Sequence, residues 1–94
     1  MSKNNPQIDK ESEVEVLTQL EREHEIILYN DDINTFDHVI NSLVAYCKHT
    51  FEQAEQCAYI VHYSGKCAVK SGSYEELEPI YRKLLEVQLS AEIH

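Results

Sequence analysis

Apolar positions fall into blocks whose period changes along the chain. His24-Glu25-Ile26-Ile27-Leu28-Tyr29 is short and rich in β-formers, which predicts a buried strand. Asn30 to Thr35 supplies turn residues. From Phe36 the apolar residues are Phe36, Val39, Ile40, Leu43, Val44 and Cys47, and these steps draw one face of a helix. Asn34 or Thr35 can cap its first turn, and Asp37 suits its dipole. Thr50 and Gln53 have capping-box spacing and open a second helix, with Ala54, Cys57, Ala58 and Val61 on one stripe. Gly65 fits as its stop. Lys66 to Ser71 alternates weakly and reads as a strand, and Gly72 marks a turn. Ser73 and Glu76 make a second capping box. The helix after it runs through Glu86 and puts Leu77, Ile80, Tyr81, Leu84 and Leu85 on one face. Pro79 is costly inside such a helix and predicts a kink or a later start. Val87 to Ile93 then alternates Val87, Leu89, Ala91 and Ile93 against polar residues, the period of a half-buried strand.

The predicted order is β-α-α-β-α-β. It implies an α+β fold, a single small two-layer domain whose three-stranded antiparallel sheet is covered by three helices. Residues 1–22 are polar, with only Val14, Val16, Leu17 and Leu20 as a weak apolar pattern. They are expected to form a flexible N-terminal tail, transiently helical from Glu13 to Arg22, before a domain over residues 23–94.

Length and charge narrow the function. Ninety-four residues bury one modest core, which favours a binding module over a multi-substrate enzyme. The net charge is −9, from 17 acidic and 8 basic side chains. Such a surface repels phosphate backbones, and no basic patch with interleaved aromatics appears, so nucleic acid is not an expected partner. It favours cationic ligands and basic partner surfaces instead. No apolar run approaches the ~18 residues needed to span a membrane, and no secretory h-region opens the sequence, so a cytoplasmic protein is expected.

No cofactor or metal is expected. Cys47, Cys57 and Cys67 lack CxxC spacing and are expected to be free thiols, two of them on apolar helix faces. A calcium loop starting at Asp32 fails, because Phe36 and Asp37 stand where an oxygen ligand and a glycine are needed. With only Gly65 and Gly72, no glycine-rich phosphate loop is possible. A Cys-His nucleophile would need one of these thiols near His38, His49 or His62, and no oxyanion signature accompanies them.

The richest chemistry lies in two short motifs, Asn30-Asp31-Asp32 and Val61-His62-Tyr63-Ser64-Gly65-Lys66. A neutral imidazole, a carboxylate and an amide oxygen can accept the three N–H groups of an ammonium. Phe36, Val39, Ala58 and Val61 could line a cup beside them. Together these residues suit a cation that carries an apolar body, such as the first residue of a peptide. Taken singly, each motif has a plainer reading: an Asx-rich turn for the first, and a histidine near a helix C-terminus for the second.

Leu28-Tyr29-Asn30-Asp31-Asp32 and Val61 to Lys66, with the spacing between them, resemble the ClpS adaptors over roughly residues 24–93. The resemblance implies a non-enzymatic adaptor that binds N-degron substrates through a bulky hydrophobic N-terminal residue. It implies delivery of them to a Clp/Hsp100 unfoldase, ClpA- or ClpC-like, and its peptidase. It assigns the substrate α-amino group to Asn30, Asp31 and His62, and the ordering of the turn to Asp32. The side-chain pocket would comprise Asn34, Thr35, Phe36, Val39, Ala58 and Val61, with Leu89 as a floor. Unfoldase docking would involve Glu75 and, in place of a basic position without a clean match, Arg82 and Lys83. A monomer is the simplest expectation.

The chain departs from the family in two places. Asn34-Thr35-Phe36 replaces the common Thr-Pro-Met, and Ala58 stands where a gating methionine is common, so a roomier pocket that tolerates β-branched residues is expected. The alternative is a regulator of the unfoldase with the same fold and no N-degron binding.

Overall fold

The computed structural model describes residues 22–94. The tail expected over residues 1–22, apart from Arg22, lies outside the described residues. The elements are β1 (His24–Tyr29), α1 (Phe36–Cys47), α2 (Phe51–Ser64), β2 (Lys66–Gly72), α3 (Tyr74–Glu86) and β3 (Ser90–Ile93). This is the β-α-α-β-α-β order of a small α+β domain.

β1 is central in a sheet of order β2-β1-β3, and both pairings are antiparallel. Period-two alternation points Ile26 and Leu28 into the core, where both are buried. Leu43, Ala54, Ala58, Val61, Leu77 and Leu84 from the helices pack with them. The register of β1 against β2 slips at one point: Ile26 pairs with Lys70 and Ile27 with Ala68, so Val69 is extra. The carbonyl of this bulged residue accepts a 2.6 Å bond from His49 Nε2.

Local side-chain chemistry starts each helix. Thr35 Oγ1 accepts from the His38 N–H and caps α1. Both predicted capping boxes form, Thr50 with Gln53 and Ser73 with Glu76. Gly65, at φ 94°, ends α2 in the left-handed region, as its position suggested. Pro79 neither moves the start of α3 nor ends it. Its ring leaves the Glu75 carbonyl without the usual helical donor, and the buried Leu77 and Leu84 hold the helix across that gap.

The last element is shorter than the alternation from Val87 predicts. β3 begins only at Ser90, because Val87 to Leu89 finish α3. The Leu89 N–H reaches the Leu84 carbonyl at 2.9 Å and the Gln88 N–H reaches the Leu85 carbonyl at 2.9 Å. That pair of bonds is a Schellman closure, with Gln88 at φ 70° in the left-handed position and buried Leu89 packing near Leu84. A glutamine there hides the stop, since glycine is the usual signal.

The left-handed conformation costs a side-chain-bearing residue about 1–2 kcal/mol, while glycine loses about 0.5–1 kcal/mol of extra backbone entropy on folding. Gln88→Gly should therefore stabilise the fold by about 0.5–1 kcal/mol, read as a higher urea midpoint with an unchanged slope.

Candidate functional site

The two motifs meet at the end of β1. The Asn30 N–H donates to the Gly65 carbonyl at 2.9 Å, so the first residue of one motif is tied to the turn that closes the other. Gly65 ends α2 one turn after Val61, which leaves His62 exposed at the rim of the resulting cleft. The cleft has a volume of about 310 Å³ and is lined by Asn30, Asp31, Asp32, Asn34, Phe36, Val39, Ala58, Val61 and His62. That size lies near the lower end of small-ligand sites, about 300–1,000 Å³. Phe36, Val39, Ala58 and Val61 make the apolar part of its wall, and the loop residues with His62 of α2 make the polar part. Ala58 and Val61 are buried beneath it, and Phe36 stands at its edge with its ring 5.4 Å from that of His62.

Asp31 organises the loop. One carboxylate oxygen accepts from the N–H groups of Ile33 and Asn34, each at 2.9 Å. The other accepts from the Asn34 side-chain amide at 2.8 Å and from the Ser90 hydroxyl at 3.0 Å. A carboxylate has about four lone-pair sites, so these donors fill it. The Asn34 amide also donates to the Gln88 carbonyl at 2.9 Å, which binds the loop to the end of α3. The ordering of the turn, expected of Asp32, thus falls to Asp31. Asp32 is exposed, lines the cleft and makes no hydrogen bond or ion pair with a described residue.

Two residues expected in the pocket lie elsewhere. Thr35 spends its hydroxyl on the α1 cap and is not part of the lining. Leu89 is 3% exposed and belongs to the core beside Leu84, because the Schellman closure turns it inward. Ser90 and Gln88 were not singled out by the sequence, yet both brace the loop. No local pattern could flag them, since Ser90 reaches Asp31 across 59 residues.

Glu75 is exposed in the first turn of α3, and Arg82 lies two turns on along the same face. Arg82 pairs with Glu78 at 2.8 Å, and Lys83 lies 3.6 Å from Glu86. Away from the cleft, Cys47, Cys57 and Cys67 are free. Burial pushes the Cys47 thiol up to about 11. Burial and then the neighbouring Cys67 push Cys57 up to about 12. Both are protonated at neutral pH and poor nucleophiles.

Burial would raise the Asp31 pKa, but the bonds from Asn34, Ile33 and Ser90 together outweigh it and hold the carboxyl below its ordinary 3.8. A depressed carboxyl contributes stability that is present above its ordinary value and lost as pH falls through its folded value. Asp31→Ala should cost about 1–2 kcal/mol at pH 7, by the scale of a lost helix cap and lost charged hydrogen bonds. In urea unfolding, the gap between wild type and variant should narrow as pH drops below 3.8. A gap that does not change with pH would contradict this role.

Comparison with known proteins agrees with the fold. The family model described as ATP-dependent Clp protease adaptor protein ClpS matches residues 19–92. The ATP-dependent Clp protease adapter protein ClpS of Thermosynechococcus vestitus is 35% identical over 77 residues, covering 77% of this chain and 82% of that protein. The structure of Agrobacterium tumefaciens ClpS2 bound to L-phenylalaninamide is similar with a TM-score of 0.71 at 16% identity, covering 78% of this chain and 95% of that one. That last likeness concerns the fold, and the two sequence matches carry the assignment. The chain belongs to the ClpS family of ATP-dependent Clp protease adaptor proteins.

Proposed function

We propose that this adaptor recognises the free N-terminal residue of its substrates, with a bulky hydrophobic side chain, in the cleft between the Asn30 loop and α2. The observation that carries the reading is the composition of that cleft. Polar acceptors line one side, and Phe36, Val39, Ala58 and Val61 line the other. The similar fold of a ClpS2 bound to L-phenylalaninamide supports it, because that ligand has a free amine and a benzyl side chain.

The side chains divide the work. The Asn30 amide oxygen and a His62 ring nitrogen accept N–H bonds from the ammonium. Asp31 has its oxygens occupied by the loop, so it contributes charge and holds Asn30 in place. Asp32 adds a second, unpaired carboxylate at the rim. A carboxylate beside an ammonium strengthens such bonds relative to neutral ones. Burying the apolar side chain contributes about 1.5–3 kcal/mol. An acetylated or internal residue keeps that apolar gain but loses the charge and leaves the acceptors unmatched.

The captured substrate is passed to a ClpA- or ClpC-like unfoldase, and Glu75 with Arg82 and Lys83 on the exposed face of α3 are offered as its docking positions. The adaptor itself is monomeric, works in the cytoplasm and catalyses nothing. Recognition needs no cofactor.

Calorimetry with short peptides tests the reading. A Phe-initiated peptide with a free amine should bind, and acetylation or Asn30→Ala should weaken it at least ten-fold. Ala58 puts little bulk into the cup, so peptides starting with Ile should bind within about ten-fold of those starting with Leu, and Ala58→Met should widen that gap. A free-amine Phe peptide that fails to bind would move the function to regulation of the unfoldase. Rejection of Ile in both wild type and Ala58→Met would contradict the roomy pocket.

A further inference from the structure

An aromatic surface continues from the rim of the cleft along α2. The Phe36 ring lies 5.0 Å from that of Tyr59, and Tyr59 lies 6.1 Å from Tyr63 with the ring planes only 6° apart. His62 meets Tyr63 edge-on at 4.9 Å. Tyr59 is 48% exposed and Tyr63 is 76% exposed. Neither hydroxyl bonds to a described residue, and neither ring lines the cleft itself. Tyr59 and Tyr63 are four residues apart on α2, so they share a face, and Glu55 stands one turn before Tyr59 on that same face. The core does not use these rings, and an exposed aromatic row beside a pocket is a surface that a ligand can cover.

A peptide held by its first residue has this rim as one way out of the cleft, since Phe36 and His62 line the cleft and touch the row. In an extended chain the third side chain points the same way as the first and lies about 6.5–7 Å further along. Phe36 lines the cleft and the Tyr59 ring lies 5.0 Å from it, so a step of that length from the cleft reaches the row. Exposed ring faces attract cations within about 6 Å of their centroids, arginine above all. The charge around them has the complementary sign, from Glu55 on the helix, exposed Asp32 at the rim and the net −9 of the chain.

We propose that the Phe36–Tyr59–Tyr63 row is a second subsite, which takes an arginine at the third residue of the substrate. This rests on the N-terminal-residue reading above. It makes the adaptor a reader of two positions, with the first giving most of the affinity and the third discriminating among substrates that share it.

Titration of the whole chain with three amidated peptides tests this: Phe-Ala-Arg-Ala, Phe-Arg-Ala-Ala and Phe-Ala-Ala-Ala. The two arginine peptides carry the same charge, so their ratio removes long-range attraction to an acidic protein. Phe-Ala-Arg-Ala should bind about three-fold or more tighter than each of the others, the scale of an exposed cation–π contact. In Tyr59→Leu, and separately in Tyr63→Leu, that ratio should fall toward one. Equal affinities in the wild type would overturn the subsite and leave first-residue recognition standing. So would a preference that survives both substitutions, or one found at the second position instead. If none of the three peptides binds, first-residue recognition fails and the subsite fails with it.

Discussion

The carboxylate of Asp31 holds together parts of the chain that sequence keeps far apart. It takes both N–H groups of its own turn, the Asn34 amide and the Ser90 hydroxyl. The first two fix the loop that follows β1. The third, through Asn34, reaches the end of α3 at the Gln88 carbonyl. The fourth ties the loop to the start of β3. Together with the bond from Asn30 to Gly65, these contacts set where the polar wall stands relative to α2. The proposed ligand, an amine with an apolar side chain, would need that placement, because a displaced acceptor loses most of a directional bond while the apolar contact tolerates it.

The same saturation explains a division among three adjacent polar residues. Asp31 spends its lone pairs inside the protein. Asn30 has its backbone engaged and lines the cleft. Asp32 is exposed, lines the cleft and pairs with no described residue. One tripeptide thus supplies the loop's bracing and, in the proposed function, an acceptor and a steering charge.

Much of this architecture was legible in the sequence. A short run of β-formers placed β1 and steps of three and four placed α1, both with their observed bounds, and the capping boxes at Thr50 and Ser73 marked two helix starts because their chemistry is local. Eight residues expected at the amine site or in the pocket, Asn30, Asp31, Asn34, Phe36, Val39, Ala58, Val61 and His62, do line the cleft, and Asp32 lines it with them. What the sequence hid was non-local or carried by unusual residues. Gln88 in a left-handed position ended α3 without the customary glycine, which shortened β3 and sent Leu89 into the core. Turn ordering fell to Asp31 instead of Asp32, because neighbours in sequence do not decide which carboxylate Ser90 will reach. The aromatic row went unmarked, since Tyr59 belongs to no motif and joins Phe36 to Tyr63 only after folding.

The central claim is that the two motifs form one site for a free amine with an apolar body. The most direct test is a titration of ¹⁵N-labelled protein with L-phenylalaninamide and, separately, with its N-acetyl form, followed by amide chemical shifts. The free amine should move the signals of Asn30, Asp32, His62 and Phe36 together along one saturable curve, and the acetylated form should leave them nearly still. Equal responses to both compounds, or shifts confined to α3 and the far edge of the sheet, would contradict the account.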